Sequence, residues 1–274
     1  MRLVLSQIPR KPCGIAISAA FLVLAGGSGV STAASIVQNF EGSSAGSGTP
    51  PAGWSLVTEA GSPTYATSSA GAGSDGAGSS SGLGGRVFSS AFVVADHPGA
   101  YLVNSIHLAV TTTITGSFDF LIVTEGSFDD AVFVIGDVAN GITGSSNGEL
   151  LSVKFYEGAD QTLNDGTGAD TRLDAASISG LANDTWYRAS FTWTPTSGTT
   201  GDFSITVNDF SSNLYTLSTT GFAFDVANAQ VGFGSVNDTM IFDNVSIADS
   251  IPEPSSVLLS VLGVGLLLRR RRVG

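Results

Sequence analysis

The sequence predicts an all-β fold, a two-sheet antiparallel jelly-roll sandwich, flanked by an N-terminal signal helix and a single C-terminal apolar helix. Three observations predict it. From residue 86 onward, short β-branched and aromatic runs alternate with clusters of Gly, Asn, Asp and Ser, which is the texture of strands joined by tight turns. No stretch of the body keeps a helical apolar period over about a dozen residues. Glycine is abundant, at 35 of 274 residues, while charged residues make up 12%, against about 25% in globular domains generally.

The first 34 residues have the layout of a secretory signal peptide. Arg2, Arg10 and Lys11 supply the charged start, Gly14 to Ala25 the apolar run, and the small residues from Ser31 to Ser35 a cleavage site, placed after Ala34. Cys13, the only cysteine, precedes the apolar run, which is not the arrangement of a lipoprotein site. The body therefore has neither disulfides nor thiolate metal ligands and depends on its core.

Residues 35–85 hold the first strand or strands and a Gly/Ser-rich loop, SSAGAGSDGAGSSSGLGG at 68–85, which has little to bury. Trp54, after the turn PPAG, is expected in the core of an early strand. Residues 86–250 carry the main part of the single sandwich domain, 35–250. RVFSSAFVV, YLVNSIHLAVTTTIT, GSFDFLIVTE, DAVFVIGDV, ELLSVKFYEG, TWYRASFTWTPT, GDFSITVND, LYTLSTT, QVGFGSV and MIFDNVSIAD each read as strands. In WYRASFTW the alternation assigns Tyr187, Ala189, Phe191 and Trp193 to the core face. The remaining residues, 251–274, read IPEPSSVLLSVLGVGLLLRRRRVG. The apolar run Val257 to Leu268 is short for a hydrocarbon core of about 30 Å. The arginines hold its end on the cytoplasmic side.

Two resemblances follow from these residues. The tail, with Pro252, Glu253 and Pro254, then an apolar segment, then Arg269, Arg270, Arg271 and Arg272, resembles the PEP-CTERM sorting signal. That resemblance implies a short transmembrane helix and a membrane-embedded exosortase as processing partner. It also implies a bacterial cell-envelope or extracellular destination, reached after transient inner-membrane anchoring. The body resembles the concanavalin A-like sandwich, through the early Gly53-Trp54, SFDF at 117–120, WYRASFTWTPTSGTTGDFSITV at 186–207 and VGFGSVNDTMIFDNVSI at 231–247.

Charge and motif spacing narrow the chemistry. Between residues 41 and 249 lie 22 acidic and 4 basic residues, a net charge of −18, which disfavours nucleic acid as a partner. A retaining glycosidase needs two carboxylates about 5–5.5 Å apart. The Glu-x-Asp-x-Glu run of laminarinase-type enzymes is absent, Asp119 stands alone in its strand, and Glu125 and Asp129 are separated by a turn. His97 reads as a turn residue and His107 as a strand histidine. GSSAG, GSSSG and GSSNG are followed by no helix pattern, so none reads as a nucleophile elbow. Asp160, Asn164, Asp165 and Asp170, in DQTLNDGTGAD, read first as a solvated turn and second as a calcium loop, because calcium takes 6 to 8 oxygen ligands. No other cofactor is implied. Trp54, Tyr156 and Tyr215 are the aromatics available to stack on a sugar. The expected function is an exported, non-enzymatic envelope or matrix protein with a structural or surface role. The alternative is a lectin-like module for exopolysaccharide or another glycan, and a divergent glycoside hydrolase comes third.

Overall fold

The computed structural model describes residues 33–58, 64–71, 82–89, 100–123, 130–138, 150–156, 160–165, 171–178, 181–236 and 238–250. The expected terminal helices, the Pro252-Glu253-Pro254 motif and the four terminal arginines lie outside the described residues. Along the described chain run β1 (Ser35–Gln38), β2 (Trp54–Thr58), β3 (Thr64–Ser68), β4 (Gly84–Ser89), β5 (Ala100–Asn104), β6 (Leu108–Ala109), β7 (Ile114–Val123) and β8 (Asp130–Gly136). They continue with β9 (Leu150–Tyr156), β10 (Gln161–Asp165), β11 (Thr171–Ala176), β12 (Trp186–Ser197), β13 (Thr200–Asn208), β14 (Asn213–Ala223), β15 (Asn228–Val236) and β16 (Asp238–Asp249).

These strands form two antiparallel sheets. Sheet I has the order β14-β13-β12-β7-β16-β4-β3, with β1 also pairing with β16. Sheet II has the order β11-β10-β9-β8-β15-β5-β2, with β6 on β15. Hairpin neighbours such as β12 and β13 follow each other in sequence, whereas β16 returns from the end of the domain to lie between β7 and β4.

Alternation decides what meets between the sheets. Tyr187, Ala189, Phe191 and Trp193 are all buried, as the period of two requires. Sheet I contributes Phe118, Phe120, Phe191, Phe203 and Phe242, and sheet II contributes Phe133, Phe155 and Phe233. Rings from opposite sheets are in contact: Phe120 with Phe155 at 4.3 Å, Phe233 with Phe242 at 4.2 Å, and Phe118 with Phe133 at 4.8 Å. Such pairs contribute about 0.5–1.5 kcal/mol each beyond their buried area. Trp193 adds a directed contact, its Nε1–H donating to the Val110 carbonyl at 2.8 Å. A Cβ on Gly116 would lie 2.6 Å from the Phe191 ring, so only glycine lets β7 and this ring approach so closely. Phe40 is fully buried, edge-on to Phe242 at 5.2 Å, and holds φ at 59°. That backbone costs about 1–3 kcal/mol in a bulky residue, and burial of its ring offsets the cost.

Three expectations are corrected. YLVNSIHLAVTTTIT is not one strand, because Asn104 Oδ1 accepts the Ile106 N–H and Ser105 N–H bonds to the Gly53 carbonyl, ending β5. His107 accordingly sits exposed between β5 and β6 and is not a strand residue. The expected polar turn at 160–170 begins instead as strand β10, paired on both sides by β9 and β11. The far edges of the two sheets are tied together by Asp174 of β11, whose Oδ2 accepts the Ser218 N–H of β14 at 2.7 Å. This occupies an edge donor that could otherwise pair with another chain.

Phe118 touches four other rings, from Phe120, Phe133, Phe155 and Phe233. Phe118→Ala is expected to cost about 3–5 kcal/mol. Denaturant unfolding checks this, with the wild-type slope retained.

Candidate functional site

Three of the four sequence motifs of the sandwich resemblance meet at one place. Register places Arg188 of β12 opposite Asp119 of β7, and Asp119 opposite Asp243 of β16, on the outer face of sheet I. Arg188 holds Asp119 with both arms of its guanidinium: Nε donates to Oδ1 at 2.7 Å and a terminal nitrogen to Oδ2 at 2.9 Å. The register of β16 slips between Asp243 and Ser246, where Asn244 takes φ 47°, a conformation that asparagine tolerates better than most residues. The slip turns its Nδ2 toward Asp119 Oδ2, 2.9 Å away, while its backbone N–H donates to Asp243 Oδ1 at 2.7 Å. Asp119 and Asp243 have no exposed surface. The bond to Asp119 raises the Arg188 pKa, burial opposes that, and the Asp119 charge adds to it. Phe210 closes the top, with the guanidinium carbon 5.1 Å from its ring centre. The arrangement locks three strands and offers no free carboxylate for proton transfer.

Sequence reasoning singled out Asp119 and the FDNVSI strand but not their meeting. The available signal was one acid in SFDF and one base in WYRASF, each in an otherwise uncharged strand. Trp186 lies on this outer face too, buried with Leu121 and Ile241 against Phe210, and its Nε1 finds no hydrogen-bond partner.

At one end of the sandwich, Gln161 pins the β9–β10 connection. Its Oε1 accepts the Tyr156 N–H at 2.9 Å and its Nε2 donates to the Tyr156 carbonyl at 2.8 Å. Tyr215 donates its hydroxyl to the same Oε1 at 3.3 Å. The Tyr187 hydroxyl accepts the Ala182 N–H at 2.8 Å. Burial pushes the Tyr215 phenol well above its usual value, and neighbouring Tyr187 adds to the shift.

The predicted glycan-stacking residues therefore part company. Trp54 is buried against Phe233 and Phe242, and Tyr215 is buried against Gln161, so both are core residues with no open face for a sugar. Tyr156 remains half-buried.

The candidate calcium ligands are not gathered either. Asn164 and Asp165 are neighbours on a strand and point to opposite faces. Asn164 is buried and donates to Thr162 Oγ1 at 2.9 Å, and Asp165 Oδ1 accepts the Thr171 N–H at 3.0 Å. Asp160 precedes β10, and Asp170 lies outside the described residues. Among the described residues no three acidic, histidine or cysteine side chains cluster as a metal site. On the outer face of sheet II, Thr162 pairs with Lys154 and Asn164 with Ser152 across β9 and β10. All four are buried, and Ser152 Oγ has no hydrogen-bond partner.

Fold and site together define an all-β sandwich of two antiparallel sheets, similar in fold to legume lectins. Lectin II from Ulex europaeus superposes with a TM-score of 0.51 at 9% identity, covering 80% of this chain and 99% of that one. The same values hold for the Ulex lectin complexed with galactose. An alginate lyase in complex with alginate tetrasaccharide gives a TM-score of 0.49 at 14% identity, over 79% of this chain and 97% of that one. At these identities the likeness is one of fold. No model of a protein family matches the chain, and no curated protein does.

Two measurements check this geometry. Arg188→Met leaves a buried carboxylate unpaired and is expected to cost about 3 kcal/mol, because the arginine side chain is 34% exposed and partly screened. Adding Asp119→Asn should recover part of that loss in denaturant unfolding. Tyrosines in the unfolded chain ionise near pH 10. A folded pKa raised above that value means stability is present below pH 10 and lost as pH rises beyond it. Tyr215→Phe should therefore flatten the alkaline fall in melting temperature, leaving a smaller fall from Tyr65, whose pKa burial also raises.

Proposed function

We propose that this chain is an exported cell-envelope or extracellular-matrix protein, sorted and processed by an exosortase, with a structural or surface role and no catalysis. The carrying observation is the tail: Pro252-Glu253-Pro254, an apolar run and Arg269 to Arg272, on a chain that opens with a charged and then apolar leader. The fold supports it, since the last strand ends at Asp249 and the Ser250 N–H bonds to the Thr113 carbonyl at 2.8 Å. The last described strand thus ends before the Pro252-Glu253-Pro254 motif that an exosortase would read. The absence of catalysis is supported by how the described acids are used. Asp119 is committed to Arg188 and Asn244, Asp174 to Ser218, and Asp249 to two backbone amides. Asp209 accepts the Ser211 hydroxyl and the Ser212 and Ser211 amides, and these bonds hold its carboxyl down at about 2.

A second reading, a glycan-binding module, rests on Tyr156. It is the one stacking candidate left half-exposed, and Gln161 holds its backbone at two points. The fold is also one that a galactose-complexed lectin shares.

Removal of residues 251–274 from the full chain in its host tests the first reading. The truncated protein is expected to leave the envelope or matrix fraction, and an unaltered location sinks the proposal. For the second reading, retention on immobilised polysaccharides should fall at least tenfold in Tyr156→Ala, and no retention of the wild type on any polysaccharide removes it.

A further inference from the structure

Asp249 gathers the two ends of the sandwich. Its Oδ1 accepts the Ala34 N–H at 2.7 Å, and its Oδ2 accepts the Ala109 N–H at 2.9 Å. Its own N–H returns to the Ala34 carbonyl at 3.1 Å. The residue is 9% exposed. Ala34 is partly buried and packs against the main core, whereas Ala33 is exposed. One residue on, the pairing of β1 with β16 begins at Ser35 opposite Ala248. Among the described residues, then, the contacts with the sandwich start at Ala34.

We infer that the leader is cut between Ala33 and Ala34, and that the new α-ammonium of Ala34 forms a shielded ion pair with the Asp249 carboxylate. The inference rests on the export reading above and moves the cut one residue upstream of the site that sequence alone suggests. Ser31 and Ala33 then occupy the two small-residue positions before the cut. In the step itself a peptidase adds water across the Ala33–Ala34 amide. The carbonyl carbon keeps the hydroxyl and becomes a carboxylate, and the nitrogen takes up protons to become an ammonium. That nitrogen already stands 2.7 Å from Asp249 Oδ1, a charge-assisted distance. A cut after Ala34 would remove the Ala34 N–H donor and the carbonyl that receives the Asp249 N–H.

β16 brings Asp249 as the facing carboxylate, and β6, made of Leu108 and Ala109, brings no titratable side chain. An α-amino group free in solution titrates near 7.7–8.0, and pairing with Asp249 raises that value. Its contribution is therefore complete below that range and lost as pH rises through the folded pKa.

The test is the N-terminus of the processed protein, purified from its host and read by mass spectrometry. Ala34 as the first residue is expected, and Ser35 or a later start overturns the inference. A chain still beginning at Met1 overturns the export reading as well. The second arm compares the processed wild type with the processed Asp249→Asn variant, both purified from the host. The wild type should lose about 2–4 °C of melting temperature as pH rises from about 7 to 10, around the α-amino titration range. The variant should begin with that loss and show no such step. A step of equal size in both overturns the ion pair.

Discussion

A buried carboxylate at the centre of sheet I sets terms that the surrounding strands must meet. Asp119 has no contact with solvent, and an unpaired charge there would cost several kcal/mol. Arg188 must therefore lie directly opposite on β12, and Asn244 must turn inward from β16. The second requirement is met only because β16 slips register and Asn244 takes a left-handed backbone. With those three residues placed, the parity of each strand follows. Phe118 and Phe120 face inward on β7, Tyr187 and Ala189 on β12, and Phe242 and Val245 on β16. The aromatic interior is thus oriented by a polar contact on the opposite face of the same sheet.

Much of this was legible in the chain. The alternation of WYRASFTW is strict, with one face wholly apolar, so its core residues could be read directly. Trp54 could be placed in the core because one large aromatic follows a turn-rich stretch. Other parts were hidden for identifiable reasons. QTLND and TRLDAA read as polar because β10 and β11 spend polar groups on other parts of the chain: Gln161 on the Tyr156 backbone and Asn164 on Thr162 inside the fold, and Asp174 on Ser218 at the sheet edges. A sequence records a side chain's polarity but not whether its partner is water or backbone. The break after Asn104 was masked by the apolar residues on both sides of it, since the signal was a single Asx turn. The stacking reading of Tyr215 failed for a similar reason, because edge-strand position does not reveal that its ring points inward.

The acidity of the body also looks different once its partners are known. Several carboxylates accept backbone N–H groups from strand ends or turns, where a lysine, which can only donate, could not serve. Part of the negative charge is therefore structural, distributed to close edges and connections in a fold with no disulfide. This limits which acids could have been recruited for chemistry.

The position of β16 carries a mechanical consequence. It lies inside sheet I, with β7 along one side and β4 and β1 along the other. Any load applied through the chain after Ser250 pulls lengthwise on this strand. Its hydrogen bonds then resist together in shear, unlike those of an edge hairpin peeled from its tip, which give way one at a time. Force applied between Ala34 and Ser250, by contrast, would unzip the short β1–β16 pairing from its open end. A sandwich built this way is strong when hung from its C-terminal side and weak when stretched between its two termini, so the direction of tension decides how long it stays folded.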